Sequence, residues 1–312
     1  MTKKIEAVIF DWAGTTMDYG CYAPAVAFQQ VFAEMRVPIS MLEARKPMGK
    51  HKQVHIGEIA NDTEVAKRWL AVHKHMPTKE DVERMFEAFQ PIQMPLLVKY
   101  KDLIEGTLEA VEECRKMGLR IGSTTGYTGE MMGLLLYEAN KQGYLPDSSV
   151  CATGHYALRR GNKTGFFKDP LLGLGDNVSR PKPAMCNLNA YLLNVSDNAA
   201  VVKVGDTLDD IREGKRAGMW TIALAGTGNE MYLTEEQEGL TEEQIRERNP
   251  QEYVRKLQVA YESMAKEKPD FLVDSIRDVP TIIAVINNSM KVGVRPGEYN
   301  ALTIINEDTI FD

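Results

Sequence analysis

Apolar residues in this chain come in short runs whose spacing changes partway along. The first run, 5–10, is nearly continuous and stops at Asp11-Trp12-Ala13-Gly14-Thr15-Thr16. A short apolar run that ends at an acid and then a glycine predicts a buried parallel strand closing in a functional turn. The pattern then turns helical. Pro24 suits the first turn of a helix over 24–35. Ser40-Met41-Leu42-Glu43 is a capping box that opens a second helix, broken by Pro47 and Gly49. Further helices are predicted over 50–60, 63–75 and 78–100, with Pro91 and Pro95 expected to kink or end the last. Residues 20–100 thus form an all-helical block, a candidate second domain inserted after the first strand.

Strand and helix patterns alternate from there. A helix over 107–117 stops at Gly118, a strand follows over 119–124, and a helix over 128–142 stops at Gly143. Strands are predicted at 148–152, 199–204 and 219–225, and helices at 183–193 and 208–217. A long polar, glycine-rich connection over 154–180 joins two of them. Capping boxes begin at Thr234 and Thr241, Pro250 opens a helix to 266, 271–273 reads as an edge strand, and 279–290 as a closing helix. The tail from 291 has no clear pattern and is expected to be peripheral or a partner contact. This alternation predicts an α/β fold with a doubly wound, Rossmann-like parallel sheet. The core comprises 1–19 and 101–290, the helical domain 20–100, and the tail 291–312.

Composition narrows the chemistry. The 312 residues carry a net charge of −7, which argues against a nucleic-acid or acidic-membrane footprint. Cys21, Cys114, Cys151 and Cys186 show no CxxC spacing and read as free thiols in a reducing compartment. No leader-like segment precedes the first strand and no apolar run is long enough to span a bilayer, so the cytoplasm is the expected location.

Ligands of open α/β sheets bind beyond the carboxyl ends of the strands. The first strand end carries Asp11, which could be a nucleophile toward phosphorus or only a turn cap. The second carries Ser123-Thr124-Thr125-Gly126-Tyr127. The loop before the 183–193 helix carries Arg180-Pro181-Lys182-Pro183, and the next strand end carries Gly205-Asp206-Thr207-Leu208-Asp209-Asp210. A carboxylate nucleophile, a hydroxyl with backbone donors, a cation and paired acids able to hold Mg²⁺ are the parts phosphoryl transfer needs.

These motifs resemble the haloacid dehalogenase superfamily: Asp11 to Thr16 its nucleophile turn, Thr125 its threonine motif, Asp206 and Asp210 its acidic motif. The resemblance makes the 20–100 block a cap domain. Phosphatases of that superfamily carry a second Asp two residues after the nucleophile to protonate a leaving alkoxide. Ala13 cannot do that. A carbon leaving group held as an enamine needs no such proton, provided an amine first condenses with a neighbouring aldehyde. The stretch 44–55 offers Lys46, Lys50 and Lys52, although a run of charge is usually a solvated helix face. Helix position and neighbouring cations disfavour the ammonium form. Lys52 and His55 are three apart on one face, so His55 could shuttle the protons of imine formation. His51 and His55 also have a zinc-like spacing, but no third ligand or HExxH glutamate accompanies them.

The strings Ala44-Arg45-Lys46-Pro47-Met48-Gly49 with Lys52 and His55, Asp11 to Thr16 with Asp18-Tyr19-Gly20-Cys21, Ile121 to Thr128, and Val204-Gly205-Asp206-Thr207 are similar to those of the phosphonoacetaldehyde hydrolase (phosphonatase) family. The resemblance implies hydrolysis of a carbon–phosphorus bond, with Asp11 as nucleophile and Lys52 as the Schiff-base lysine. It implies Mg²⁺ on Asp11, the Ala13 carbonyl and Asp206, with Asp210 in support. Arg180 would bind the phosphonate, and Met48, Cys21 and Tyr127 would line or back the pocket. A small phosphonate substrate and a cap-to-cap homodimer through the Pro24 helix complete the expectation. Lys50 and His51 depart from the family pattern, as do the length of the 154–180 connection and the tail. The rival readings are a phosphatase or phosphomutase of the superfamily, or a non-catalytic binding protein on the same fold.

Overall fold

The computed structural model describes residues 4–152, 155–160, 163–168, 183–298 and 303–305. Strand β1, Ala7–Phe10, is wholly buried at the centre of the sheet. Its side chains alternate between two cores. Val8 and Phe10 join the larger apolar cluster, while Ala7 and Ile9 pack with Cys186, Ala190 and Leu193 on the opposite face. That division is the physical content of a strand buried on both sides.

Five helices follow β1 before the sheet resumes: α1 (Tyr22–Glu34), α2 (Met41–Arg45), α3 (Lys52–Ala60), α4 (Thr63–His73) and α5 (Lys79–Lys99). They form a helical insert with its own packing, in which Phe28 stacks on Phe89 at 4.7 Å and Trp69 is fully buried. The capping box expected at Ser40 opens α2. Helix α5 runs through Pro91 and Pro95 without ending, so the prolines are no stop signal here. Both prolines are exposed and lie four apart on one face, so water can satisfy the carbonyls their missing N–H groups leave open.

The alternating part comprises α6 (Thr107–Lys116), β2 (Arg120–Thr125), α7 (Gly129–Lys141), β3 (Ser148–Cys151), β4 (His155–Arg160), β5 (Lys163–Lys168), α8 (Ala184–Leu192), β6 (Val201–Gly205), α9 (Leu208–Arg216) and β7 (Trp220–Leu224). It closes with α10 (Glu242–Arg248), α11 (Pro250–Ala265), β8 (Phe271–Val273), α12 (Val279–Lys291) and β9 (Thr303–Ile305). Among the described residues the strand order is β5-β4-β3-β2-β1-β6-β7-β8-β9. The pairings from β3 through β9 are parallel, whereas β3–β4 and β4–β5 are antiparallel.

Two expectations are corrected here. The 154–180 connection contains the hairpin β4–β5, which extends the sheet, so its polar sequence hid strand pairing. Nor is β8 an edge: it pairs with β9, supplied by the tail. The order reverses at β1, whose successors lie on either side of it. The crevice between β1 and β6 is therefore the switch point at which α/β sheets bind ligands. Among the described residues no helix is long and apolar enough to cross a membrane.

The insert is entered at Asp18. Its carboxylate accepts from the Tyr22 and Ala23 N–H groups, both at 2.9 Å, and so holds the first turn of α1. Burial pushes this carboxyl up from 3.8 to about 7, against the pull of those N–H groups and of Arg45 and Lys52. Between pH ~4 and ~7 the folded chain therefore binds more protons than the unfolded one. Stability falls as pH rises through that window, on the order of 1.4 kcal/mol per pKa unit. Asp18→Asn is expected to remove this slope in urea unfolding series across the window. A slope equal to that of the parent protein would contradict the assignment.

Candidate active site

Asp11 continues β1 by one ladder bond, its N–H donating to the Val204 carbonyl at 3.0 Å. The chain then folds tightly, with the N–H groups of Thr15, Thr16 and Met17 all aimed at the Trp12 carbonyl. Gly14 takes φ +79°, and a Cβ there would lie 2.3 Å from Asp206 Oδ2. Only glycine permits both the left-handed backbone and that approach. The Trp12 indole N–H donates to Ser123 Oγ at 2.9 Å, tying the turn to β2.

Asp206 follows β6 directly. Thr15 Oγ1 donates to its Oδ1 at 3.0 Å and the Asn229 N–H to its Oδ2 at 2.8 Å. Asp210 sits one turn into α9. Its Oδ2 accepts the Thr207 hydroxyl at 2.6 Å, and its Oδ1 lies 2.7 Å from the buried ammonium of Lys203. Carboxylate oxygens of Asp11, Asp206 and Asp210 all lie within 4.8 Å of one another. Burial, and then the charges of Asp11 and Asp210, push the Asp206 carboxyl well above the usual range. A buried set of hard oxygen donors with surplus negative charge fits a divalent cation.

The helical insert closes this site from above. Asp11, Ala13, Cys21, Met48, Lys52, Thr125, Gly126 and Tyr127 line one small cavity of about 20 Å³, with Pro24, Gly49 and Thr207. Backbone contact makes the seam tight. A Cβ on Gly126 would stand 3.1 Å from the Lys50 carbonyl, and one on Gly49 would stand 2.8 Å from Thr207 Oγ1. Gly49 also needs its φ of +95°.

Lys52, the first residue of α3, is only 4% exposed. Its Nζ lies 4.7 Å from the Tyr127 ring centre and 5.5 Å from that of Phe28. The other two lysines of the stretch turn away, Lys46 pairing with Asp62 at 3.0 Å and Lys50 with Glu58 at 2.5 Å. His55 lies behind Lys52 rather than on the cavity wall. It is fully buried, packs on Phe28 at 3.8 Å, and its Nε2 is 2.8 Å from the Ala44 carbonyl. A carbonyl only accepts, so Nε2 carries the proton and Nδ1 keeps a lone pair. Burial, then the charge of Lys52, holds this imidazole well below its ordinary pKa. Burial also pushes the Cys21 thiol and the Tyr127 phenol well up, so both are neutral.

Of the sequence-derived candidates, Arg180 lies outside the described residues. Asp206 and Asp210 lie beside the cavity rather than on its wall. The loop 226–231 after β7 went unnoticed, although its Asn229 holds Asp206 and its Thr227 Oγ1 donates to the Gly14 carbonyl at 2.7 Å. Gly226 and Gly228, just past an apolar run, were the available signal.

Comparison with known proteins gives the family. Residues 5–218 match the family described as haloacid dehalogenase-like hydrolase. A phosphonoacetaldehyde hydrolase-like protein of Syntrophobacter fumaroxidans is 38% identical over 292 residues, covering 94% of this chain and 95% of the relative. A phosphonoacetaldehyde hydrolase of Bacillus cereus is 36% identical over 291 residues, covering 93% and 99%. The crystal structure of a phosphonoacetaldehyde hydrolase-like protein from Oleispira antarctica superposes with a TM-score of 0.80 at 32% identity, over 95% of this chain and 97% of that one. The chain belongs to the phosphonoacetaldehyde hydrolase family of the haloacid dehalogenase-like hydrolases.

Proposed function

We propose that this protein hydrolyses the carbon–phosphorus bond of phosphonoacetaldehyde, giving acetaldehyde and phosphate, with residues 20–100 acting as the cap over a core of 1–19 and 101–290. The observation that carries the reading is one small cavity lined by both a carboxylate at the sheet's rim, Asp11, and a buried lysine from the helical insert, Lys52. Ala13 on the same wall supports it, because a methyl group cannot protonate an alkoxide.

In the proposed route the Lys52 amine condenses with the aldehyde, releasing water. The iminium formed is the electron sink. The Asp11 carboxylate attacks phosphorus, and the electrons of the breaking P–C bond move into the iminium, leaving an enamine on Lys52. The enamine takes a proton at carbon and is hydrolysed to acetaldehyde, and water cleaves the aspartyl phosphate. Mg²⁺, held by Asp11, the Ala13 carbonyl and Asp206 with Asp210 in support, would supply charge neutralisation for the phosphoryl oxygens. Thr125 and the Gly126 N–H are assigned to the same oxygens, and Arg180 to the phosphonate. Neutral Cys21 and Tyr127 beside Lys52, with Met48, shape the aldehyde end. His55, neutral with a free Nδ1 lone pair, is assigned to proton transfer during imine formation. A homodimer through α1 belongs to this reading as well.

Two measurements test it. Borohydride reduction in the presence of phosphonoacetaldehyde is expected to leave a stable adduct on the Lys52 peptide, and Lys52→Arg to lower kcat by about 10³-fold or more, ~4 kcal/mol. No adduct, together with undiminished turnover of simple phosphate esters by Lys52→Arg, would favour the phosphatase reading. His55→Gln is expected to slow turnover by about 10²-fold or more while the acid limb of the pH–rate profile stays in place, because a histidine held below its ordinary pKa is already neutral there. An acid limb that vanishes in the variant would mean that His55 titrates in the working range.

A further inference from the structure

The loop over 226–231 touches the nucleophile turn, the entry to the helical insert and the metal-type carboxylate at once. Thr227 Oγ1 donates to Gly14, and the Thr227 carbonyl accepts from the Gly20 N–H at 2.8 Å. A Cβ on Gly228 would lie 2.1 Å from both Cβ and Oδ2 of Asp206, so the loop is pressed against that side chain. Asn229 then aims its backbone N–H at Asp206 Oδ2.

The Asn229 amide is braced from two sides. Its Nδ2 donates to Glu230 Oε1 at 3.1 Å, and Ser263 Oγ of α11 donates to Glu230 Oε2 at 2.7 Å. Its other neighbour is Arg45 of the insert. Arg45 Nη1 is 3.5 Å from Asn229 Oδ1, and Asn229 Nδ2 is 3.4 Å from the Arg45 carbonyl. Each contact is long, but the two are reciprocal, and the guanidinium is fully buried. The same Nη1 donates to the Gly20 carbonyl at 2.7 Å, beside the Gly20 N–H that the loop already holds. Arg45 therefore meets the loop only while the insert is seated on the core.

We infer that Asn229 and Arg45 are positioning residues that couple closure of the helical insert to the orientation of Asp206, so that closure and divalent-metal binding strengthen each other. The inference rests on reading Asp11 and Asp206 as the metal site. With the insert lifted, Asn229 loses its Arg45 brace and the N–H aimed at Asp206 loses its fixed direction. Thermodynamic reciprocity then requires the metal to favour closure by the factor with which closure favours the metal. Residues that orient a metal ligand are commonly worth 10- to 100-fold in affinity.

The test uses the full chain without substrate, so it does not depend on which phosphorus compound is turned over. Mg²⁺ affinity is measured by titration calorimetry, and hydrogen exchange over 44–52 is followed with and without Mg²⁺. In the parent protein Mg²⁺ is expected to slow that exchange. Asn229→Ala and Arg45→Lys are each expected to weaken Mg²⁺ binding about tenfold and to abolish the Mg²⁺-dependent protection. Should Arg45→Lys fail to fold, Asn229→Ala alone decides the question. A variant with a lower Tm that binds Mg²⁺ within about twofold of the parent, with protection retained, would reduce the residue to a structural brace and overturn the coupling alone. Absence of Mg²⁺ binding in the parent protein would overturn the metal reading, and the coupling with it.

Discussion

Three buried carboxylates within 4.8 Å of one another set the terms for the rest of this structure. Like charges so close, away from water, repel strongly and must be held in place by their surroundings. The fold supplies the holders from separate elements. Lys203 comes from β6, the Thr207 hydroxyl and N–H from the start of α9, Thr15 from the turn after β1, and the Asn229 N–H from the loop after β7. Glycines at 14, 205 and 228 leave the room that lets these backbones close on Asp206 and Asp210. Asp210 has each oxygen engaged by Lys203 or Thr207, so its part is to fix the α9 turn as much as to add charge.

The second constraint is the seam between sheet and helical insert. Gly49 and Gly126 bring the insert's backbone onto the core's, leaving only about 20 Å³ between the catalytic candidates. That is room for about one water between the side chains as they stand. The seam also keeps Lys52 nearly out of water. Lys52 rests between the ring of Phe28, from its own insert, and that of Tyr127, which the core supplies only where the two halves meet. Asp11 and Lys52 thus meet at one seam between the insert and the core.

Much of this could be read from residue order. Short strand-like runs ending in Asp11, Thr125 and Asp206, alternating with helical patterns, identified the sheet and its rim, because side-chain period and strand-end chemistry are local properties. Ser40-Met41-Leu42-Glu43 and Thr241-Glu242-Glu243-Gln244 were legible as helix starts for the same reason: the hydrogen bonds lie within four residues. At Pro91 and Pro95 the sequence left kink or termination open, and burial of the opposite helix face keeps the helix going. Strand pairing misled at β4, β5 and β9, since a short segment without a clear pattern acquires a strand's character only from the neighbour it bonds to.

The sequence by itself determined the fold class, the helical insertion after β1, and the kinds of groups at the rim. Residue types and spacings carry that information without knowledge of distant neighbours. It did not choose among Lys46, Lys50 and Lys52 by spacing alone. Two of these find carboxylate partners in Asp62 and Glu58, and only the third turns inward, a choice made by helix packing. Nor did it reveal Asn229 and Arg45, which are 184 residues apart and meet only where the insert closes on the core. Those contacts, the tautomer of His55 and the dryness around Lys52 belong to the tertiary structure, because each depends on which surfaces are pressed together rather than on what any one segment contains.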